Sequence, residues 1–292
     1  MEIKLNFLII GAAKAGTTTL HALLSGHPEI FMPEEKDFKY FDNDENYTKG
    51  DDWYKAFFRN YNGQKIVGEA NSEYMFSQAA VSRIYEKAGP RTRLIAIVRN
   101  PAERSYSEYL HQVRYARTDL DFETFMNTAV ETGGDSEDEL SGIIFGRSRY
   151  AGHLKPFVEK FGKDNVLLVV LEKLKRNPDQ ELSRIFRFLS VNESHKSRLL
   201  RANKAYQPRY HWLNNLILQP NSLRRMARKM IPFFSLRNKI RKKIKSLNTA
   251  NDSANLQLGE SRKKILMEQV FPNERKELER LFELRIEEWI SD

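Results

Sequence analysis

The chain has 292 residues, of which 40% are hydrophobic, 30% charged and 11% aromatic; this length and balance support a packed core and exclude a disordered or fibrous chain. Lys and Arg number 48 against 39 Asp and Glu, a formal net charge of +9, which points to an anionic partner: nucleic acid, a membrane surface, a polyanion or a phosphorylated ligand. Cysteine is absent, which excludes disulfides, a catalytic thiol and thiolate metal sites and fits a reducing compartment.

From the N-terminus, Phe7-Leu8-Ile9-Ile10 predicts a buried strand running into Gly11. The run is too short for a signal peptide or a membrane span, and no later stretch comes close. A cytoplasmic protein is expected, at most peripheral to a membrane. After Thr17, the residues Leu20, Leu23 and Leu24 recur at helical spacing, and His27-Pro28 reads as the turn that ends the helix. Ile66-Val67 is a second short strand, and Arg93 to Val98 a third, continuous and β-branched. Asn100 then caps a helix that Pro101 opens. Gly133 to Glu139 reads as a surface loop. Val166 to Leu171 is the strongest strand; Asn177-Pro178 opens a helix with Leu182, Ile185, Phe186 and Leu189 on one face. Leu278, Leu281, Phe282 and Trp289 mark an amphipathic C-terminal helix. Apolar strands alternating with helices predict an α/β fold, a central parallel sheet flanked by helices.

The surplus charge is local. Between Ser194 and Asn251 there is no acid but 15 Lys and Arg, which leaves 33 basic against 39 acidic residues elsewhere, a net of −6. Within this stretch Leu223, Met226 and Met230, then Leu236, Ile240, Ile244 and Leu247, recur at three- to four-residue steps. They predict a basic amphipathic helix pair broken near Pro232. Three readings stand open for Arg224 to Lys245: attachment to an anionic membrane surface, binding of an acidic polysaccharide, or a solvated helix face packed on the core.

Gly11-Ala12-Ala13-Lys14-Ala15-Gly16-Thr17-Thr18-Thr19 joins the first strand to the first helix. Backbone N–H groups of such a loop and of the helix N-terminus form an anion site, to which Lys14 adds a charge and the threonines add hydroxyls. The pattern approaches a G-x4-G-K-S/T phosphate loop, but Thr17 stands where that motif has its lysine. Composition alone leaves an ordinary strand–helix turn equally open.

The order K-x-G-T-S/T in a first strand–helix turn resembles the 5′-phosphosulfate loop of sulfotransferases that use 3′-phosphoadenosine 5′-phosphosulfate (PAPS). Arg93 to His111, RLIAIVRNPAERSYSEYLH, resembles that family's 3′-phosphate motif, with Arg99 and Ser107 at the binding positions. Lys36 to Lys49, KDFKYFDNDENYTK, is similar to the segment after the first helix in heparan sulfate 3-O-sulfotransferases and the N-sulfotransferase domain. Gly146 to Tyr150, His153-Leu154, Phe161 and Leu171 to Leu174 match a later block. The resemblance covers roughly residues 5–205 and the final helix. It implies a three-layer, P-loop-like fold in one domain over 1–292: a cofactor-binding α/β core over 1–205, a basic helical elaboration over 206–258, and C-terminal helices over 259–292 that pack on the core.

It also implies transfer of the sulfuryl group of PAPS to a hydroxyl, or an amine, of a carbohydrate, polysaccharide or glycolipid. The chemistry parallels phosphoryl transfer: positioning, charge stabilisation at the leaving oxygen, and removal of the acceptor's proton. Lys14 suits the leaving oxygen. Ala15, Gly16, Thr17, Thr18 and Thr19 suit the 5′-phosphate; Arg99 and Ser107 suit the 3′-phosphate. Tyr150 and Arg147 fall where the family contacts the cofactor, with packing and solvation as their plain alternatives. Arg209 lies where a late basic loop closes over the 3′-phosphate. Aligning Tyr40-Phe41 with the family's aromatic pair puts Asp37 at the position of its general base, one methylene shorter than the usual Glu; an acid paired with Lys36 or Lys39 is the alternative. Ala70 stands where glycan enzymes often carry a lysine, so either Lys36, Lys39 or a residue of the basic segment substitutes, or the acceptor differs. Glu69 either faces the site or ends its strand. No metal is expected, and no nucleic acid. The competing readings are a P-loop kinase, which needs ATP and Mg²⁺, and a non-enzymatic anionic-surface module.

Overall fold

The computed structural model describes residues 4–134, 138–196, 207–208, 249–250 and 257–290. Five parallel strands, β1 (Phe7–Gly11), β2 (Ile30–Phe31), β3 (Ile66–Ala70), β4 (Arg93–Val98) and β5 (Val166–Val170), form one sheet in the order β2-β3-β1-β4-β5. Each strand is apolar along nearly its whole length because both faces are covered. Leu8, Ile10, Val67, Leu94, Ala96, Val98 and Leu168 face one layer, with Ala80, Val81 and Ile84 of the helix Gln78–Ala88 and Leu154 and Phe157 of the helix Tyr150–Phe161. Phe7, Ile9, Ile95, Ile97 and Val169 face the other, with Leu20, Leu23 and Leu24 of α1 (Thr17–Ser25) and Leu182, Ile185, Phe186 and Leu189 of the helix Pro178–Leu189. The expected three-layer α/β architecture is the one found.

Three details differ from the sequence expectation. β2 has only two residues, too few to carry a periodic signal. The strand read as Val166 to Leu171 stops at Val170, and Leu171–Arg176 is already helical. Asn177 then breaks the helix, since the following Pro178 disfavours helical backbone before it. The C-terminal helix ends at Phe282, where Glu283 turns left-handed (φ 50°); Trp289 belongs to a separate short turn, Glu287–Trp289. Leu278, Phe282, Ile286 and Trp289 are all buried with the first of the two layers.

The fold divides into two compact units, 1–104 with 147–202 and 271–292, and 105–146 with 203–270. The first holds the sheet. In the second, Phe122 meets Tyr106, Tyr109 and Phe145 ring to ring, and Arg262 of the helix Glu260–Ile265 pairs with Glu123 at 2.8 Å. Gln207–Pro208, which precedes the 209–248 stretch, pairs antiparallel with Thr249–Ala250, which follows it. That stretch, with Arg209 and the Arg224–Lys245 segment, lies outside the described residues. Among the described residues no helix is long and apolar enough to cross a membrane.

Candidate active site

Strand order places the site. β1 leads through α1 to β2 on one side of the sheet, whereas the chain after β4 returns to β5 on the other. The connections diverge between the carboxyl ends of β1 and β4, where ligands of open α/β sheets bind. The glycine-rich loop follows β1, and Arg99 follows β4.

The loop folds tightly. Ala12 N–H donates to the Ile97 carbonyl at 2.7 Å, and Ala15 N–H to the Ala12 carbonyl at 3.1 Å. Lys14 (φ 68°) and Gly16 (φ 103°) are left-handed. Gly16 is required on two counts, its φ and its space, for a Cβ there would sit 2.9 Å from Leu171. Gly16 is also the N-cap of α1, and no side chain caps that helix. The first-turn N–H groups of Thr17, Thr18 and Thr19 therefore remain oriented for an anion. Thr18 is exposed, Thr19 and Lys14 half-buried, Ala15 and Thr17 buried.

Asp37 stands at the carboxyl end of β3, the neighbour of β1. Its N–H donates to the Ala70 carbonyl at 2.9 Å, which fixes the left-handed turn at Asp37 (φ 61°). Its Oδ1 accepts from the Ser72 N–H at 2.8 Å and the Ser72 hydroxyl at 3.0 Å, and its Oδ2 pairs with Lys36. A Cβ on Gly11 would lie 3.2 Å from the Ser72 carbonyl and 2.9 Å from Met75 Cβ, so the bare glycine lets the Ser72 turn close on the phosphate-type loop. His21 of α1 bonds the Pro33 carbonyl at 2.9 Å and ties the helix to the same segment; burial, with the charge on Lys36, holds its pKa below the usual value. Asp37 is thus paired with Lys36, the plain alternative of the sequence reading, and it stands at the strand ends beside the loop. Lys36 is half-buried, while Glu34, Glu35 and Lys39 are exposed.

Arg99 directs Nε and Nη2 at Glu103 Oε2, at 3.0 and 2.8 Å. Its backbone is pinned on both sides: Tyr150 donates its hydroxyl to the Arg99 carbonyl at 2.9 Å, and Asn100 N–H donates to Glu172 Oε1 at 2.9 Å. The cofactor contact expected of Tyr150 is therefore corrected. The ring is fully buried and its hydroxyl is committed to Arg99, so it positions that residue and offers no surface to a ligand. Arg147 is not solvated either; it pairs with Glu73 at 2.6 Å and lies over Phe76. Ser107 is half-buried on the helix Pro101–Arg114, and the ring of His111 further along it meets that of Tyr115 at a tilt, 4.7 Å between centroids.

Glu103 is a residue that sequence reading passed over, although its i+4 spacing from Arg99 was a visible signal. The carboxylate occupies the Nε/Nη2 edge of the Arg99 guanidinium, so an anion at that edge must displace it. Glu103→Gln is accordingly expected to tighten binding of 3′-phosphoadenosine 5′-phosphate (PAP) by about two- to fivefold, the range of a half-exposed ion pair; calorimetry on the two proteins checks it, and weaker binding would show that Glu103 orients the guanidinium instead.

Glu69 neither ends β3 nor opens to solvent. It is fully buried, and the Tyr54 hydroxyl donates to its Oε2 at 2.5 Å. Burial pushes its carboxyl up to about 7, against the bonds from Tyr54 and Tyr74 that favour the charged form. Glu274, whose carboxylate accepts from Ala151 N–H at 2.8 Å, is likewise pushed by burial up to about 7. A carboxyl that holds its proton more tightly when folded contributes most below its unfolded value near 4.5, and that contribution is lost as pH rises from about 4.5 to about 7. The expected loss is about 2–3 kcal/mol for Glu69. Urea midpoints from pH 5 to 8 should fall more steeply in the native chain than in Glu69→Gln; parallel profiles would refute the assignment.

Comparison with known proteins agrees with this geometry. The profile of the sulfotransferase domain family matches residues 4–244. The chain is 29% identical over 198 residues to bifunctional heparan sulfate N-deacetylase/N-sulfotransferase 2 of Bos taurus, covering 63% of this chain and 22% of that protein. It is 29% identical over 185 residues to heparan sulfate glucosamine 3-O-sulfotransferase 5 of Mus musculus, covering 63% of this chain and 53% of that one. The chain thus aligns with about a fifth to a half of the length of these relatives. A sulfotransferase from Alicyclobacillus acidocaldarius shares the fold at a TM-score of 0.68 and 22% identity, over 99% of both chains. With a match over most of its length and the loop, Asp37 and Arg99 gathered at one sheet edge, the chain belongs to the sulfotransferase domain family.

Proposed function

We propose that the protein transfers a sulfuryl group from PAPS to a hydroxyl, or an amine, of a carbohydrate acceptor. The observation that carries this reading is the placement of the Lys14 loop and the Ser72-held Asp37 carboxylate on adjacent strand ends. The uncapped N-terminus of α1 and the glycine cradle at Gly16 fit a 5′-phosphosulfate, and Arg99 suits a 3′-phosphate. When bound, PAPS supplies the sulfuryl group and a bisphosphate leaving group. The backbone N–H groups from Gly16 to Thr19 would hold the phosphate end, that of Ala15 being given to the Ala12 carbonyl, and the Lys14 ammonium would stabilise charge at the leaving oxygen. Asp37 takes the acceptor's proton, with Ser72 fixing the carboxylate and Lys36 beside it. Ser107 and Arg209 keep the 3′-phosphate role that the resemblance gives them. The heparan sulfate enzymes among the relatives favour a glycan acceptor, and the 15 positive charges of 194–251 suit a polyanionic one or an anionic membrane surface.

Thermal shift with PAP and with ATP·Mg²⁺ tests the donor. PAP without metal is expected to raise Tm and ATP·Mg²⁺ to act weakly, because ATP has no 3′-phosphate for Arg99. A larger response to ATP·Mg²⁺ would favour a kinase.

A further inference from the structure

One cavity of the sheet-bearing unit lies away from the Lys14 loop. Its volume is about 470 Å³, and it is lined by Lys4, Asp51, Lys55 and Lys87 together with Tyr40 and Tyr54. Lys4 immediately precedes β1, and Lys87 lies in the last turn of the helix Gln78–Ala88, which returns the chain to the start of β4. The five strands of the sheet are parallel, so their starts share one edge. The cavity therefore sits at the end of the sheet opposite the loop that follows β1.

Its charge is unbalanced. Asp51 is the one acid in its lining and is already committed, pairing with Lys87 at 2.5 Å and accepting from the Tyr40 hydroxyl at 3.2 Å. Among the described residues no carboxylate lies within ion-pair distance of Lys4 or Lys55. Asp51 also acts on Lys55 electrostatically, so among the described residues one carboxylate stands against Lys4, Lys55 and Lys87 around a concave space whose wall includes Tyr40 and Tyr54, stacked on each other 4.4 Å apart and 18° from parallel. Concave, largely apolar spaces with a few charged groups that fix orientation are how proteins hold small ligands, and the volume is of that class.

We propose that this cavity is a second ligand site, separate from the transfer site, which binds a sulfated or carboxylated sugar unit with its anionic group between Lys4 and Lys55. The preference for an anion rests on the lysines; the choice of a sugar rests on the carbohydrate reading above. The test is calorimetry on the full chain without cofactor, with N-acetylglucosamine 6-sulfate as probe and N-acetylglucosamine as uncharged control. The sulfated sugar is expected to bind at least tenfold more tightly than the neutral one, and to lose at least tenfold in affinity in the double variant Lys4→Gln/Lys55→Gln. Both side chains are exposed and far from the loop, so the variant should keep its PAP-dependent rise in Tm. Equal binding to the variant would overturn the proposal, since the anion would then be held elsewhere; so would equal affinity for the neutral sugar, or no binding of the sulfated one. A native chain that binds the sulfated sugar yet ignores PAP would sink the donor reading and leave this site standing.

Discussion

Replacing Lys14 with alanine is expected to lower kcat by about 10²–10³-fold, the cost of removing one preorganised group that stabilises transition-state charge. PAP affinity should fall far less, by under about tenfold, because the backbone N–H groups of Gly16 to Thr19, to which the proposal assigns the phosphate, stay in place. The loop itself should persist. Its shape is set by the Ala12–Ile97 and Ala15–Ala12 hydrogen bonds and by Gly16 against Leu171, none of which uses the lysine side chain. Alanine at φ 68° has the same Cβ as lysine, so the variant adds no backbone strain of its own. Single-turnover kinetics beside PAP calorimetry separate the two effects. Equal losses in kcat and in affinity would make Lys14 a binding cation and move leaving-group stabilisation to another residue.

How much of this was legible beforehand follows from where each constraint originates. The strands stood out because a parallel sheet covered on both faces needs continuous apolar runs, and Phe7–Ile10, Arg93–Val98 and Val166–Val170 are such runs. Helix starts stood out where a local rule fixes them: Asn100 Oδ1 accepts from Glu103 N–H at 3.2 Å, as a cap three residues ahead should. The loop was readable because anion binding at a strand–helix turn is itself local. What escaped depends on pairing across the fold. Ser72 meets Asp37 only because 35 residues of chain bring β3 back beside the first loop, and nothing in Ala70-Asn71-Ser72 announces it. Tyr54 on Glu69 is of the same kind, and so is Tyr150, whose place in a family block did not show that its hydroxyl ends on the Arg99 carbonyl. The break between Phe282 and Trp289 was hidden differently: apolar spacing runs across it, and the left-handed residue is a glutamate rather than the glycine that usually marks a helix end. The net charge said least about the donor, since Lys14 and Arg99 lie outside the basic segment.

Asp37→Asn should reduce kcat by about 10²–10⁴-fold, the range for loss of a positioned general base, with PAP binding unchanged. Asparagine is the informative choice. It tolerates the left-handed backbone at φ 61°, and its side-chain oxygen can still accept from the Ser72 N–H and hydroxyl, so position is kept while proton affinity is lost. Ser72→Ala separates positioning from proton transfer. It removes the 3.0 Å hydroxyl bond but leaves the 2.8 Å backbone bond, and about 1 kcal/mol of lost orientation corresponds to a fall of roughly fivefold. Lys36→Met tests the neighbouring cation: if Lys36 contacts an anionic acceptor, KM should rise while PAP affinity holds. Asp37→Gly opens space beside Ser72, and added formate should restore part of its rate by supplying the missing carboxylate. An Asp37→Asn enzyme with full kcat would exclude Asp37 as the base. Glu34 and Glu35 are exposed and Glu69 is sealed behind Tyr54, so the base would then be sought at Asp42, which is half-buried, acts electrostatically on Asp37 and has its pKa raised by burial.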